Sequence, residues 1–167
     1  MINKKKICLQ WFKDLQNLIC NTVIDLEKEY DSRAKFKSNK WEKGEFRIIK
    51  GSVIEKGGVA FSNVTGTFPK GFANQIPGTE KKRSFWSSGV SVVLHPVNPH
   101  VPALHFNTRH IITGKNWFGG GVDATPCIQD TKLKKYFHSK LEKMCNCLLY
   151  TSPSPRDQRG SRMPSCG

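Results

Sequence analysis

The sequence has no run of about 18 apolar residues, the length a helix needs to cross a membrane, so no transmembrane segment is expected in its 167 residues. It has no Cys-x-x-Cys pair. Its six cysteines, Cys8, Cys20, Cys127, Cys145, Cys147 and Cys166, are too scattered for a disulfide scaffold or a zinc finger. It shows no secretory signal, because the apolar stretch after Lys4-Lys5-Lys6 is broken by Gln10, Lys13 and Asp14. Together these absences lead us to expect a reduced, cytoplasmic protein. The most informative shortage is of acid: from Lys81 to Val122 there is no Asp or Glu, and that stretch holds His95, His100, His105 and His110, four of the five histidines. Cations and imidazoles without carboxylates suit an anionic ligand; the plainer account is a chance gap in a basic chain of net charge +14.

What is present reads as one modest domain. Residues 6–30 form one amphipathic helix by spacing, with Trp11, Phe12, Leu15, Leu18, Ile19, Val23 and Leu26 on a stripe that Cys8 and Thr22 can join. Residues 31–44 read as a polar loop. Phe46 to Val64 reads as strands turned at Gly51-Ser52, with Gly57-Gly58 marking a bulge or a close backbone approach. A Gly-, Pro- and Lys-rich loop over 66–83 leads to a strand at Val90–His95. Pro96, Pro99 and Pro102 then impose an extended connection. Ala103–Ile112 is the next strand, Thr113–Asn116 a turn, Trp117–Gly121 a non-helical continuation and Thr131–Met144 a helix. Short strands joined by turns favour an antiparallel sheet.

Strand alternation organises the candidate chemistry. On Ala103–Ile112, His105, Asn107 and Arg109 share one face at steps of roughly 7 Å, and Leu104, Phe106 and Thr108 share the other. Arg109 can grip a carboxylate with two hydrogen bonds. His105 can move a proton near neutral pH. Ser91, Val93 and His95 share a face of their strand. Asp123, the first acid after the gap, can accept hydrogen bonds from ligand N–H groups, and Gly119–Gly121 would let backbone approach a flat ligand. A solvated sheet face and a turn-capping Asp are the plainer readings of the same residues. The histidines at 95, 100, 105 and 110 lie five apart, which matches no metal-binding spacing. Nucleic-acid binding has charge behind it and no motif.

The stretch from Gly89 through His95-Pro96-Val97-Asn98-Pro99-His100 to His105-Phe106-Asn107-Thr108-Arg109 resembles the signature of the oxygen-dependent coproporphyrinogen III oxidases. Trp117-Phe118-Gly119-Gly120-Gly121-Val122-Asp123-Ala124-Thr125-Pro126 resembles their second signature. Glu55-Lys56-Gly57-Gly58-Val59, with Ser62 and Val64-Thr65-Gly66, fits upstream, and Phe137-His138 followed by Cys145 fits downstream. The likeness covers about residues 7–146, the N-terminal half of the family's length. The family usually has Trp-x-Arg and a glycine-rich run where Trp41–Phe46 stands here, and Ala124 replaces its usual Leu.

The resemblance implies an α+β fold, an antiparallel β-sheet flanked by helices, usually a homodimer. It implies oxidative decarboxylation of coproporphyrinogen III to protoporphyrinogen IX in haem biosynthesis, turning two propionates into vinyl groups. Molecular oxygen is the co-substrate, carbon dioxide and hydrogen peroxide leave, and no organic cofactor is needed. By resemblance Ser91, Asn107, Thr108 and Arg109 contact substrate, His105 donates a proton and Asp123 holds the pyrrole N–H groups. His95 and His138 match positions described as divalent-metal ligands in some members. Residues 1–147 are then the N-terminal portion of the oxidase domain. The tail, 148–167, resembles the translation of a sequencing adapter from Cys147 onward, so the chain is expected to be truncated and inactive alone. The alternatives are a non-catalytic tetrapyrrole-binding fragment and a basic nucleic-acid-binding module.

Overall fold

The computed structural model describes residues 4–72 and 75–148. Apart from Leu148, the adapter-like tail expected over 148–167 lies outside the described residues. The chain divides into two compact units, residues 1–128 and 129–167.

The first unit is one helix on a six-stranded sheet. Helix α1 spans Lys4–Lys28, and the strands are β1 (Lys37–Trp41), β2 (Gly44–Ile49), β3 (Ile54–Thr67), β4 (Ser84–Pro96), β5 (Ala103–Ile112) and β6 (Asn116–Thr125). Their order in the sheet is their order in the chain, and every neighbouring pair is antiparallel. Most successive strands are joined by short turns or loops, as the sequence predicts for such a meander, and the β3–β4 connection over 68–83 is the long one. The second unit contains helix α2, Thr131–Leu148. Its first turn is capped by Asp130, whose carboxylate accepts the backbone N–H of Lys132 at 2.8 Å and of Leu133 at 3.0 Å.

Helix α1 covers one face of the sheet. Phe12 and Cys20 pack with Val59 and Phe61 of β3 and Val90 and Val92 of β4, all buried. A second cluster joins Val23 to Ile49 and Ile54. The apolar spacing locates this helix correctly but misassigns part of its face. Trp11, Leu18 and Leu26 are 54%, 63% and 41% exposed, and the buried line runs Phe12, Gln16, Cys20, Val23 and Glu27. Two polar side chains sit in the packed face because the sheet supplies them with partners. Gln16 Nε2 donates to the Glu45 carbonyl at 3.2 Å and the Val59 carbonyl at 3.0 Å. The Glu27 carboxylate accepts the backbone N–H groups of Ser52, Val53 and Ile54, at 2.8 Å for Ser52 and 2.6 Å for Ile54. Gly51 has no side chain to obstruct that carboxylate.

Two further expectations are corrected. The loop expected over 31–44 contains β1, which forms a hairpin with β2, Trp41 opposite Gly44. All five residues of β1 are exposed, so this polar edge strand has no apolar alternation to betray it. Strand β4 begins at Ser84, six positions before Val90, carried by its long pairing with β3. The glycine pair at 57–58 does mark close approach: a Cβ on Gly58 would lie 2.7 Å from the Phe46 ring, and the register shifts nearby, between Ile54 and Lys56.

Candidate functional site

The face of the sheet turned away from α1 carries the candidate residues. Antiparallel register puts directly opposed residues on the same face. The buried pairs Val59–Val92 and Phe61–Val90 define the helix-covered face. The other face therefore includes three adjacent cross-strand rows that carry the candidate residues. The first is Gly58, Val93, His105 and Asp123; the second is Ala60, Ser91, Asn107 and Gly121; the third is Ser62, Gly89, Arg109 and Gly119. His95 lies beyond Val93 on the same face and is exposed.

Six of the eight sequence-predicted residues thus share one face. His105 and Asp123 are directly opposed on β5 and β6, and His105 Nδ1 lies 3.1 Å from Asp123 Oδ2. A carboxylate accepts and does not donate, so this contact suits the tautomer with its proton on Nδ1. The pair is accessible, with side chains 44% and 61% exposed. One row further along, Asn107 stands opposite Ser91. Arg109 makes no hydrogen bond or ion pair with any described residue. Its stem crosses Gly89, where a Cβ would lie 2.7 Å from Arg109 Cγ. A free guanidinium, an amide and a hydroxyl beside a carboxylate-held imidazole can bind carboxylates and deliver a proton.

The other two predicted residues are placed elsewhere. Thr108 pairs with Val90 and Gly120 on the helix-covered face, so its side chain does not join Asn107 and Arg109. His138 lies on α2, in the second unit. Among the described residues no three His, Cys, Asp or Glu side chains gather closely enough to hold a metal ion.

The histidine-rich, acid-free stretch also separates in three dimensions. His100 lies in the β4–β5 connection, where its N–H is held by Asn98 Oδ1 at 2.9 Å. His110 is buried on the helix-covered face, stacked on Phe118 at 4.3 Å and paired with Asn116. Of the cations in that stretch, Lys81, Lys82 and Arg83 precede β4 and Lys115 sits in the β5–β6 turn. Arg109 is the one that stands on a strand among the described residues. The anionic-ligand reading therefore rests on Arg109 and its neighbours, not on the whole stretch.

The first unit also has a cleft of about 410 Å³ on the helix-covered side, between α1 and the β1–β2 hairpin. Arg47 there donates to Glu45 at 3.1 and 3.0 Å and to Asn17 Oδ1 at 2.7 Å, and Ser38 donates to Glu45 at 2.5 Å. Hydrogen bonds from Arg47, then Ser38, hold the Glu45 carboxyl below the usual carboxylate range. Burial pushes the nearby Cys20 thiol up. This network braces the hairpin and lies on the far side of the sheet from His105.

The family model for coproporphyrinogen III oxidase matches residues 8–152. The chain belongs to the coproporphyrinogen III oxidase family. Among curated members, the oxygen-dependent coproporphyrinogen-III oxidase of Rickettsia bellii is 39% identical over 157 residues, covering 87% of this chain and 56% of that protein. Those of Rickettsia rickettsii and Rickettsia felis are 38% and 39% identical over 155 residues, with the same coverage. The chain thus spans about half the length of the curated family members it matches. The departures at Trp41–Phe46 from the family pattern fall on the β1–β2 hairpin. Sequence reasoning missed the small side chains of Ala60 and Ser62, which continue the site's floor onto β3. Their signal was a period of two, Gly58, Ala60 and Ser62, inside a strand.

Proposed function

We propose that the enzyme to which this chain belongs carries out oxygen-dependent oxidative decarboxylation of coproporphyrinogen III to protoporphyrinogen IX, and that the open face of β3–β6 grips the substrate. The observation that carries this is the His105–Asp123 pair, opposed across β5 and β6 on the same face as Ser91, Asn107 and Arg109, which has no partner among the described residues.

On this reading Arg109 takes a propionate, with Asn107 and Ser91 completing the polar contacts. Asp123 accepts hydrogen bonds from pyrrole N–H groups, and His105 supplies protons. Each turnover converts a ring-bound CH2CH2COO⁻ group, with O2 and one proton, into a vinyl group, CO2 and hydrogen peroxide. The C–COO⁻ bond breaks, two electrons pass to oxygen, and the propionate carbon next to the ring loses one hydrogen. The electron-rich pyrrole relays the two electrons to oxygen and regains them as the side chain loses its hydrogen and CO2, so the protein's part is binding, orientation and proton transfer. Oxygen is the co-substrate on this reading because the relatives are oxygen-dependent oxidases. We place the complete enzyme in the cytoplasm as a homodimer, and assign turnover to it and binding alone to the isolated 167-residue chain.

The test is fluorescence titration of the chain with coproporphyrin III, the oxidised form of the substrate. Arg109→Ala should weaken binding by about 1.5–3 kcal/mol, the worth of hydrogen bonds to a charged group. Asp123→Ala should also weaken it, while changing stability by under about 1 kcal/mol because the ion pair is exposed. No binding by the folded chain, or affinity indifferent to Arg109, would overturn the reading.

A further inference from the structure

Glycine is a poor strand residue, and inside a strand it marks a bulge, a bend or the close approach of another molecule. On the open face most glycines have a visible reason. Gly58 lies under the Phe46 ring, Gly89 under the stem of Arg109, and Gly119 beside Trp117, where a Cβ would stand 3.1 Å from Cζ3. Gly121 has none. A Cβ built there meets nothing within 4 Å among the described residues. Its backbone needs no glycine, since the positive-φ glycine of the described chain is Gly78. The register of β5 and β6 is unbroken through Asn107–Gly121, so there is no bulge. Fold and packing both allow a side chain at 121, yet it would rise from the floor between Asp123 and Gly119.

We propose that Gly121 is a specificity-determining residue: its missing side chain keeps the floor flat beside Asp123, admitting a broad ring laid face-down across the strands. This rests on the tetrapyrrole reading above. Strands lie about 4.8 Å apart, so the floor from β3 to β6 is about 14 Å wide. A ring that reaches Asp123 with its central N–H groups must pass over Gly121, which opposes Asn107 and lies one position along the same face. A small polycarboxylate gripping Arg109 need not.

The experiment compares the 167-residue chain with Gly121→Ala and Gly121→Val. Coproporphyrin III is titrated by fluorescence and tricarballylate, a compact tricarboxylate, by calorimetry. Gly121→Val should weaken the macrocycle roughly tenfold or more, as expected for intruding methyl groups, with Gly121→Ala between it and the parent. Tricarballylate should change by no more than about twofold, as for a surface substitution away from its contacts. Thermal unfolding should show both variants folded, because the space above Gly121 is open and a β-branched residue suits a strand. Macrocycle affinity unchanged in Gly121→Val, equal losses for both ligands, or failure of the variants to fold would each overturn the proposal. If the parent chain itself binds no macrocycle, the tetrapyrrole reading falls and takes this proposal with it, a result distinct from an indifferent variant.

Discussion

Replacing Glu27 by Gln tests how α1 is fastened to the sheet. Glu27 is 0% exposed. Its two oxygens accept three consecutive backbone N–H groups from the turn entering β3. Gln keeps the size but leaves one oxygen. Its NH2 would then face a backbone N–H, donor against donor, at a side chain buried from solvent. A net hydrogen bond to a charged group is worth about 1.5–3 kcal/mol, and a buried unsatisfied group costs about 1–3 kcal/mol. One bond lost and one donor orphaned make at most about 2.5–6 kcal/mol, against a total stability of about 5–15 kcal/mol for a typical domain. Chemical denaturation followed by circular dichroism should show the midpoint falling with little change in slope. Glu29→Gln, exposed two positions on, should stay within about 0.5 kcal/mol. A loss under about 1 kcal/mol for Glu27→Gln would refute the claim that this carboxylate is a fastening point.

Two further outcomes follow from the same packing. Phe12→Ala, at the centre of the helix–sheet core, should cost about 3–5 kcal/mol by equilibrium denaturation. The Glu45 carboxyl, held below its ordinary range by Arg47 and Ser38, contributes stability that is full above the ordinary Glu value of about 4.3 and is lost as pH falls through its lower folded value. A pH series of denaturation midpoints should therefore show a decline on the acid side that Glu45→Gln removes.

Much of the site was legible because strand geometry is local. Once Ala103–Ile112 is read as a strand, its period of two places His105, Asn107 and Arg109 together and turns Thr108 away, as the structure shows. What was not legible depends on partners far along the chain. Gln16 and Glu27 look like surface residues until β3 and the turn before it supply carbonyls and N–H groups. Strand β1 has no apolar pattern of its own and exists because β2 pairs with it. His110 resembles its neighbours in a histidine-rich stretch, yet parity alone sends it under α1.

The sequence by itself determined the alternation within β5, the place of α1 along the chain, and the signatures that mark the family, because these are properties of a few residues in a row. Only the tertiary structure decided that His105 on β5 meets Asp123 on β6, and that among the described residues Arg109 has no partner and Gly121 no neighbour above it. Register, burial and emptiness are relations between segments, set when the sheet assembles, and no single segment contains them.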